Sequence, residues 1–263
     1  MAIDLAAIRK KLNQISGQNS KRNVMWRPEE NSETTVRLIA YPNNEGQPFK
    51  ELMFYYNIGN NPGLLAPYQY GKADPIQELI TKLRDEGSKE SYELAKKLYP
   101  KMRCYAPVIV RGEEDKGVRL WAFGKQVYQT LLNYMLDEDY GDITDPLEGR
   151  DVRITCTKTP GKMWATTDVR PRGKDTPLSE DSKQSKNWLD NIPDVNDLFE
   201  LKSYQELENI VNQWLNGEDE DEKEETSRGG SWGSSSSKSD DSPDTLASKH
   251  KSLDDAFAEL ESL

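Results

Sequence analysis

The chain has 263 residues, enough for one or two domains, and 35 Lys and Arg against 46 Asp and Glu give a formal net charge of -11. Only 35% of the residues are hydrophobic and 31% are charged, which excludes one uniformly packed globule and points to an unstructured part. Two cysteines, Cys104 and Cys156, and one histidine, His250, exclude a disulfide framework and a conventional zinc ligand set within one chain.

Charge is distributed by segment. Residues 218–263 carry fourteen acids against five bases, whereas residues 1–27 set Arg9, Lys10, Lys11, Lys21, Arg22 and Arg27 against Asp4 alone. A basic arm, a mixed core and an acidic tail point to nucleic acid, or to a partner competing for the same surface. Residues 4–15 place Leu5, Ile8, Leu12 and Ile15 at helical spacing. This arm either packs on its own core or docks on a neighbouring copy or on phosphates, and the pattern leaves both open.

Strand-like runs follow at 34–41 and 51–58, separated by the turn signal at 42–46, and read as a hairpin. Residues 74–99 read as two helices, started by Asp74-Pro75, broken at Gly87 and restarted at Ser88. Residues 104–110 and 118–124 read as strands joined by a charged loop. Residues 125–136 read as a helix with Val127, Leu131, Tyr134 and Met135 on its core face. Residues 151–159 and 162–170 read as paired strands across Pro160-Gly161, and 171–191 as a polar loop. A last helix covers 203–215 and ends at Gly217, beyond which the composition predicts disorder. Strands with interposed helices and no βαβ rhythm predict an α+β fold: an OB-fold-like β-barrel core with an inserted helical subdomain.

No phosphate loop, dinucleotide fingerprint, nucleophile elbow or metal motif is present, so the sequence predicts a protein that is not an enzyme and needs no cofactor or metal. Basic and aromatic residues are instead interleaved. Lys97, Tyr99, Lys101, Arg103 and Tyr105 recur with a period of two, which would project them to one side of a strand. Arg119, Trp121, Lys125 and Tyr128 follow, then Arg153, Lys158, Lys162, Trp164 and Arg170. Single-strand binders combine cations that track phosphates with aromatic faces that stack on bases. The alternative is that Trp121 and Trp164 are core and the cations a solvated face. The acidic tail can occupy a cationic groove as a nucleic-acid mimic and present Leu253, Asp254, Asp255, Phe257 and Leu260 to partner proteins.

LAAIRKKLN in the arm, KMRCYAPVIV followed by a charged loop and VRLWAFGKQVY, LKSYQELENIV, and the serine-rich acidic tail ending LDDAFAELESL occur in one order. Together they resemble the single-stranded DNA-binding (helix-destabilising) proteins of T-even-like bacteriophages over nearly the whole chain. The resemblance implies an OB-type core that binds single-stranded DNA without sequence preference. It implies cooperative contacts through the arm and a tail that binds replication, recombination and repair proteins. By position, Lys101, Arg103, Tyr105, Arg119, Trp121 and Lys125 fall in the family's DNA-contacting strands, and Lys162 and Trp164 near its aromatic hairpin. The best-known members hold a structural zinc in the region matching 57–77, where this chain has Asn57-Ile58-Gly59 and Asp74-Pro75-Ile76-Gln77. The metal is therefore expected to be absent, with packing around Tyr55, Tyr68, Leu79 and Leu83 in its place.

The resulting expectation is a flexible basic arm at 1–27 that self-associates through Arg9, Lys10 and Lys11, a DNA-binding core at 28–217 with the helical insertion at 74–99, and a disordered partner-binding tail at 218–263. The DNA contacts are assigned to Tyr99, Lys101, Arg103, Tyr105, Arg119, Trp121, Lys125, Lys158, Lys162 and Trp164. The protein would coat single-stranded DNA cooperatively during phage replication, recombination and repair, in the cytoplasm of an infected bacterium. No run approaches the ~18 apolar residues of a membrane span, and no membrane partner is expected. The alternative is a protein-interaction adaptor, such as a helicase-loading or RNA-binding accessory factor.

Overall fold

The computed structural model describes residues 24–216, apart from Met163. In chain order they form β1 (Met25–Trp26), β2 (Ser32–Leu38), β3 (Lys50–Tyr55), β4 (Leu64–Leu65), α1 (Pro75–Glu86), α2 (Lys89–Leu98), β5 (Lys101–Val110), β6 (Arg119–Phe123), α3 (Lys125–Leu136), β7 (Arg150–Thr157), β8 (Thr166–Asp175), α4 (Ser182–Asp190) and α5 (Tyr204–Asn216). The fold is mixed α+β, with eight strands and five α-helices among the described residues. No helix among them is long and apolar enough to cross a membrane. The described residues divide into two compact units, 24–52 with 102–199, and 53–101 with 200–216.

In the first unit the strands follow the path β1-β6-β5-β2-β7-β8. β5 carries the apolar run Cys104 to Val110, buried throughout, and its period of two sends consecutive side chains to opposite faces. Val108 and Val110 join a core with Trp26, Leu38, Phe49, Trp121, Leu131 and Ile154. Ile109, between them, packs instead with Ile39, Leu178 and Trp188. This second cluster explains why 171–191 is not the expected loop. β8 continues to Asp175, and α4 forms with Asp181 as its N-cap, accepting from the Lys183 N–H at 2.9 Å. α4 is polar except at its end, and its one buried residue is Trp188, so the helix is held by tertiary burial that its own periodicity hardly signals.

The expected hairpin between 34–41 and 51–58 is also revised. β2 has both edges occupied, antiparallel to β5 at Val36–Leu38 and to β7 at Ser32–Arg37. β3 pairs with β5 and, through Phe54 and Tyr55, with Leu65 and Leu64 of β4.

In the second unit, α1, α2 and α5 enclose Leu79, Ile80, Leu83, Leu94, Leu98, Leu207, Val211 and Leu215, all buried. The helix ends follow their local chemistry. Gly87 closes α1 in the left-handed conformation at φ 73°, and the Ser88 side chain accepts from the Ser91 N–H to open α2. Ser203 and Glu206 form a reciprocal capping box at α5, with Ser203 N–H to Glu206 Oε2 at 2.8 Å and Glu206 N–H to Ser203 Oγ at 3.3 Å. The polar centre of this unit is Asp74. Its buried carboxylate accepts from the Tyr55 hydroxyl at 2.8 Å, the Tyr68 N–H at 3.3 Å, and the Ile76 and Gln77 N–H groups at 3.1 and 3.3 Å. Burial, reinforced by the Asp74 charge, raises the Tyr55 pKa and keeps the hydroxyl a donor. Replacing Asp74 by alanine removes an N-cap and leaves the Tyr55 hydroxyl buried without its acceptor, an expected loss of about 2–3 kcal/mol. Urea unfolding checks this; a loss under ~0.5 kcal/mol, within the range of ordinary surface substitutions, would mean that water replaces the carboxylate.

Candidate nucleic-acid interface

The first unit ends its sheet in a two-stranded ribbon. β7 alternates, burying Val152, Ile154 and Cys156 while Arg153, Thr155 and Thr157 point outward, partly or fully exposed. β8 pairs antiparallel to it, with Ile154 opposite Val169 and Arg153 opposite Arg170. Val169 and Pro171 are buried, and Arg170, Arg172 and Lys174 are exposed. The apolar face of the ribbon therefore anchors it to the core while its outer face collects cations.

Placing Arg153 directly across from Arg170 costs stability, because like charges opposed across a ladder repel. Arg153 is partly compensated by Glu33 at 3.2 Å. Among the described residues no carboxylate forms an ion pair with Arg170, Arg172 or Lys174. Asp168 is the one acid exposed on β8 before Asp175, so the outer face is cationic on balance.

The loop joining β7 to β8 carries Lys158, Lys162 and Trp164. It is longer than the expected Pro160-Gly161 turn, with Gly161 at φ 82° and the Lys162 N–H donating to Thr159 O at 3.1 Å. Trp164 is 78% exposed and Lys162 is exposed. Lys158 is half-buried, its ammonium 3.5 Å from Glu30 and its N–H donating to Asn31 Oδ1 at 2.9 Å. An exposed indole forfeits the burial that normally holds a tryptophan inside. It is also a free stacking face beside cations, the pairing that single-stranded nucleic acid requires.

The other residues singled out from the sequence divide into two groups. Lys101 and Arg103 are exposed on β5, and Lys125 is exposed at the first position of α3. The Arg103 guanidinium lies 3.8 Å from where a Cβ on Gly124 would stand, which places it beside the start of that helix. Gly124 is an N-cap with no side chain, and the first turn of α3 holds no acid, so the helix's partial positive charge adds to the two cations. Tyr105, Arg119 and Trp121, in contrast, are interior. Trp121 is 2% exposed, its ring 4.6 Å from Phe123 and 6.0 Å from Trp26. Tyr105 packs on Phe199 at 5.5 Å, and Arg119 pairs with Glu113. The expectation of an exposed basic-aromatic face through Tyr105, Arg119 and Trp121 is therefore revised at the level of burial: all three side chains lie in the interior. The physical reason lies in the register, since Ala106 opposite Trp121 leaves room for the indole inside the core.

In the second unit Tyr99 is half-buried at the C-cap of α2, packed against that unit's core, and Lys97 lies within α2. Only Lys101, Arg103 and Tyr105 of the period-two series are on a strand. Arg9, Lys10, Lys11 and the tail residues Leu253, Asp254, Asp255, Phe257 and Leu260 lie outside the described residues. Arg172 and Lys174 fall in the segment 171–191 that reads as a polar loop in the sequence, so the expected contacts leave them out. The signal that would have found them is the alternation of cations through Arg170, Arg172 and Lys174.

A family model described as gp32 DNA binding protein like matches residues 30–215, which takes in both strands of the ribbon and its loop. No curated protein matches the chain.

Proposed function

The chain belongs to the gp32 DNA-binding-protein-like family, and on that premise we propose that it is a single-stranded DNA-binding protein that coats its ligand cooperatively and without sequence preference. The observation that carries the reading is the exposed Trp164 at the tip of a cation-faced ribbon, inside the matched region. Phosphates would follow Arg153, Arg170, Arg172 and Lys174, with Arg103 and Lys125 as a further cationic pair, and bases would stack on Trp164. The six-strand path of the first unit serves, in this reading, as an OB-type platform. The protein acts stoichiometrically rather than as a catalyst. Residues 1–27 associate copies along the strand, and residues 218–263 bind replication, recombination and repair proteins of a phage in its bacterial host's cytoplasm.

The test is tryptophan fluorescence titrated with a mixed-sequence single-stranded oligonucleotide at low salt and at ~0.2 M salt. Saturable quenching that weakens with salt is the expected result. Replacing Trp164 by alanine should remove much of the quenching and cost ~1–3 kcal/mol of affinity, the range for one stacked base. Its exposure predicts an unchanged unfolding midpoint. Burial of Tyr105, Arg119 and Trp121 is the observation that favours an adaptor instead. Absence of binding by fluorescence and by gel shift, with or without residues 218–263, would establish that second reading.

A further inference from the structure

A groove of about 520 Å3 opens in the first unit, between the 40–48 segment and the end of α3 with the residues that follow it. Its apolar lining includes Ala40, Pro48, Leu132, Met135 and Leu136, and Leu136 is 83% exposed. Around this lining the charges are acidic. Asp142 lines the groove, Glu45 sits between the lining residues Asn44 and Gly46, and Glu138 and Asp139 are exposed in the segment joining Leu136 to Asp142. Nearby cations are already committed, Lys50 to Asp194 and Arg150 to Asp175, each at 2.8 Å.

We infer that this groove receives residues 4–15 of the N-terminal arm of a second copy. The inference rests on the self-association reading above and assigns the surface that it needs. The occupant is argued from complementarity. Leu5, Ile8, Leu12 and Ile15 recur at helical spacing, a stripe that a helix would extend over about 15 Å at 1.5 Å per residue, and Arg9, Lys10 and Lys11 lie among them. Apolar side chains meet an apolar floor, and three cations meet an acidic rim. The chain's other amphipathic segment, 252–263, carries Asp254, Asp255, Glu259 and Glu261 and would set acids against acids.

The test uses full-length chains with reversed charges. One variant carries Arg9→Glu, Lys10→Glu and Lys11→Glu; the other carries Glu138→Lys and Asp139→Lys. Clustering on long single strands is compared with binding to an oligonucleotide that holds one copy, which reports folding and single-site affinity. Each variant alone should need about tenfold more protein to cluster, with single-site affinity unchanged. An equimolar mixture should recover clustering, because each copy then finds a complementary partner. Leu136→Ser should weaken clustering without adding or removing a charge at the acidic rim.

Normal clustering by the Glu138 and Asp139 variant and by Leu136→Ser would overturn the groove while leaving arm-mediated association standing. Recovery only when both reversals share one chain would place the contact within a copy and overturn the inference. Normal clustering by the arm variant would remove the self-association reading itself.

Discussion

Replacing Asp151 by alanine is expected to lower the stability of the first unit by about 3–5 kcal/mol, the range for breaking a buried ion pair on one side. Arg37 is fully buried on the central strand β2, and Asp151 on β7 is 9% exposed. The Arg37 guanidinium donates to Asp145 O at 2.7 Å and Thr176 Oγ1 at 3.1 Å, with Asp151 Oδ1 at 3.8 Å. Arg111 holds the same carboxylate at 2.8 Å and also donates to Leu178 O at 3.0 Å. One carboxylate therefore serves two guanidinium groups that tie β2, β5 and β7 to the segment after β8. Burial lowers the Arg37 pKa and Asp151 opposes that effect, so without the carboxylate two cations face each other in the interior. Asp151→Asn keeps the shape and one acceptor and should cost less than alanine. The measurement is the urea midpoint at constant slope; a shift worth less than ~1 kcal/mol would mean that solvent reaches the guanidinium groups and does the carboxylate's work.

The same cluster makes Gly149 irreplaceable for a steric reason. A Cβ there would stand 2.4 Å from Asp145 O and 2.7 Å from an Arg37 terminal nitrogen. Gly149→Ala should therefore destabilise through displacement of this hydrogen-bonded arginine.

Reversing Arg170, Arg172 and Lys174 to glutamate in one chain is expected to lower affinity for single-stranded DNA by about a hundredfold or more at low salt. Each single-strand phosphate contact contributes a slope of about 0.7 in the logarithmic dependence of affinity on salt, so three lost contacts reduce it by about 2. All three side chains are exposed on β8, and surface substitutions seldom move stability by more than ~0.5 kcal/mol each, which separates a binding defect from an unfolded variant. The slope is the more informative readout. An unchanged slope would move the phosphate track off the ribbon, to Arg103 and Lys125 at the start of α3.

The helices of the second unit were legible residue by residue. Asp74-Pro75, Gly87-Ser88 and the Ser203/Glu206 pair each satisfy or terminate backbone groups within a few positions, so their signals are local. α3 was also legible in its limits, although its buried residues are Tyr128 and Leu131, with Val127 and Met135 only partly covered. The ribbon was legible as two alternating strands, but its extension to Asp175 was not, because Pro171 and Gly173 are tolerated on an edge strand that sequence rules treat as broken.

Local residue patterns were enough to place the basic, mixed and acidic segments, to bound most of the helices, and to pair two cation-bearing strands across a turn near Pro160-Gly161, although they set Trp164 in the second strand rather than in the loop before it. Each depends on neighbours a few residues apart. Tertiary structure alone decided that β2 sits between β5 and β7, that α4 is nailed down by Trp188, and that Trp121 is inside while Trp164 is outside. A period of two assigns side chains to two faces of a strand but not which face another layer covers. β6 is buried on nearly every residue, so Trp121 had a core to fill on either side. Trp164 lies beyond the last ladder pair, Thr157 with Thr166, where the chain leaves the sheet and no layer covers its ring.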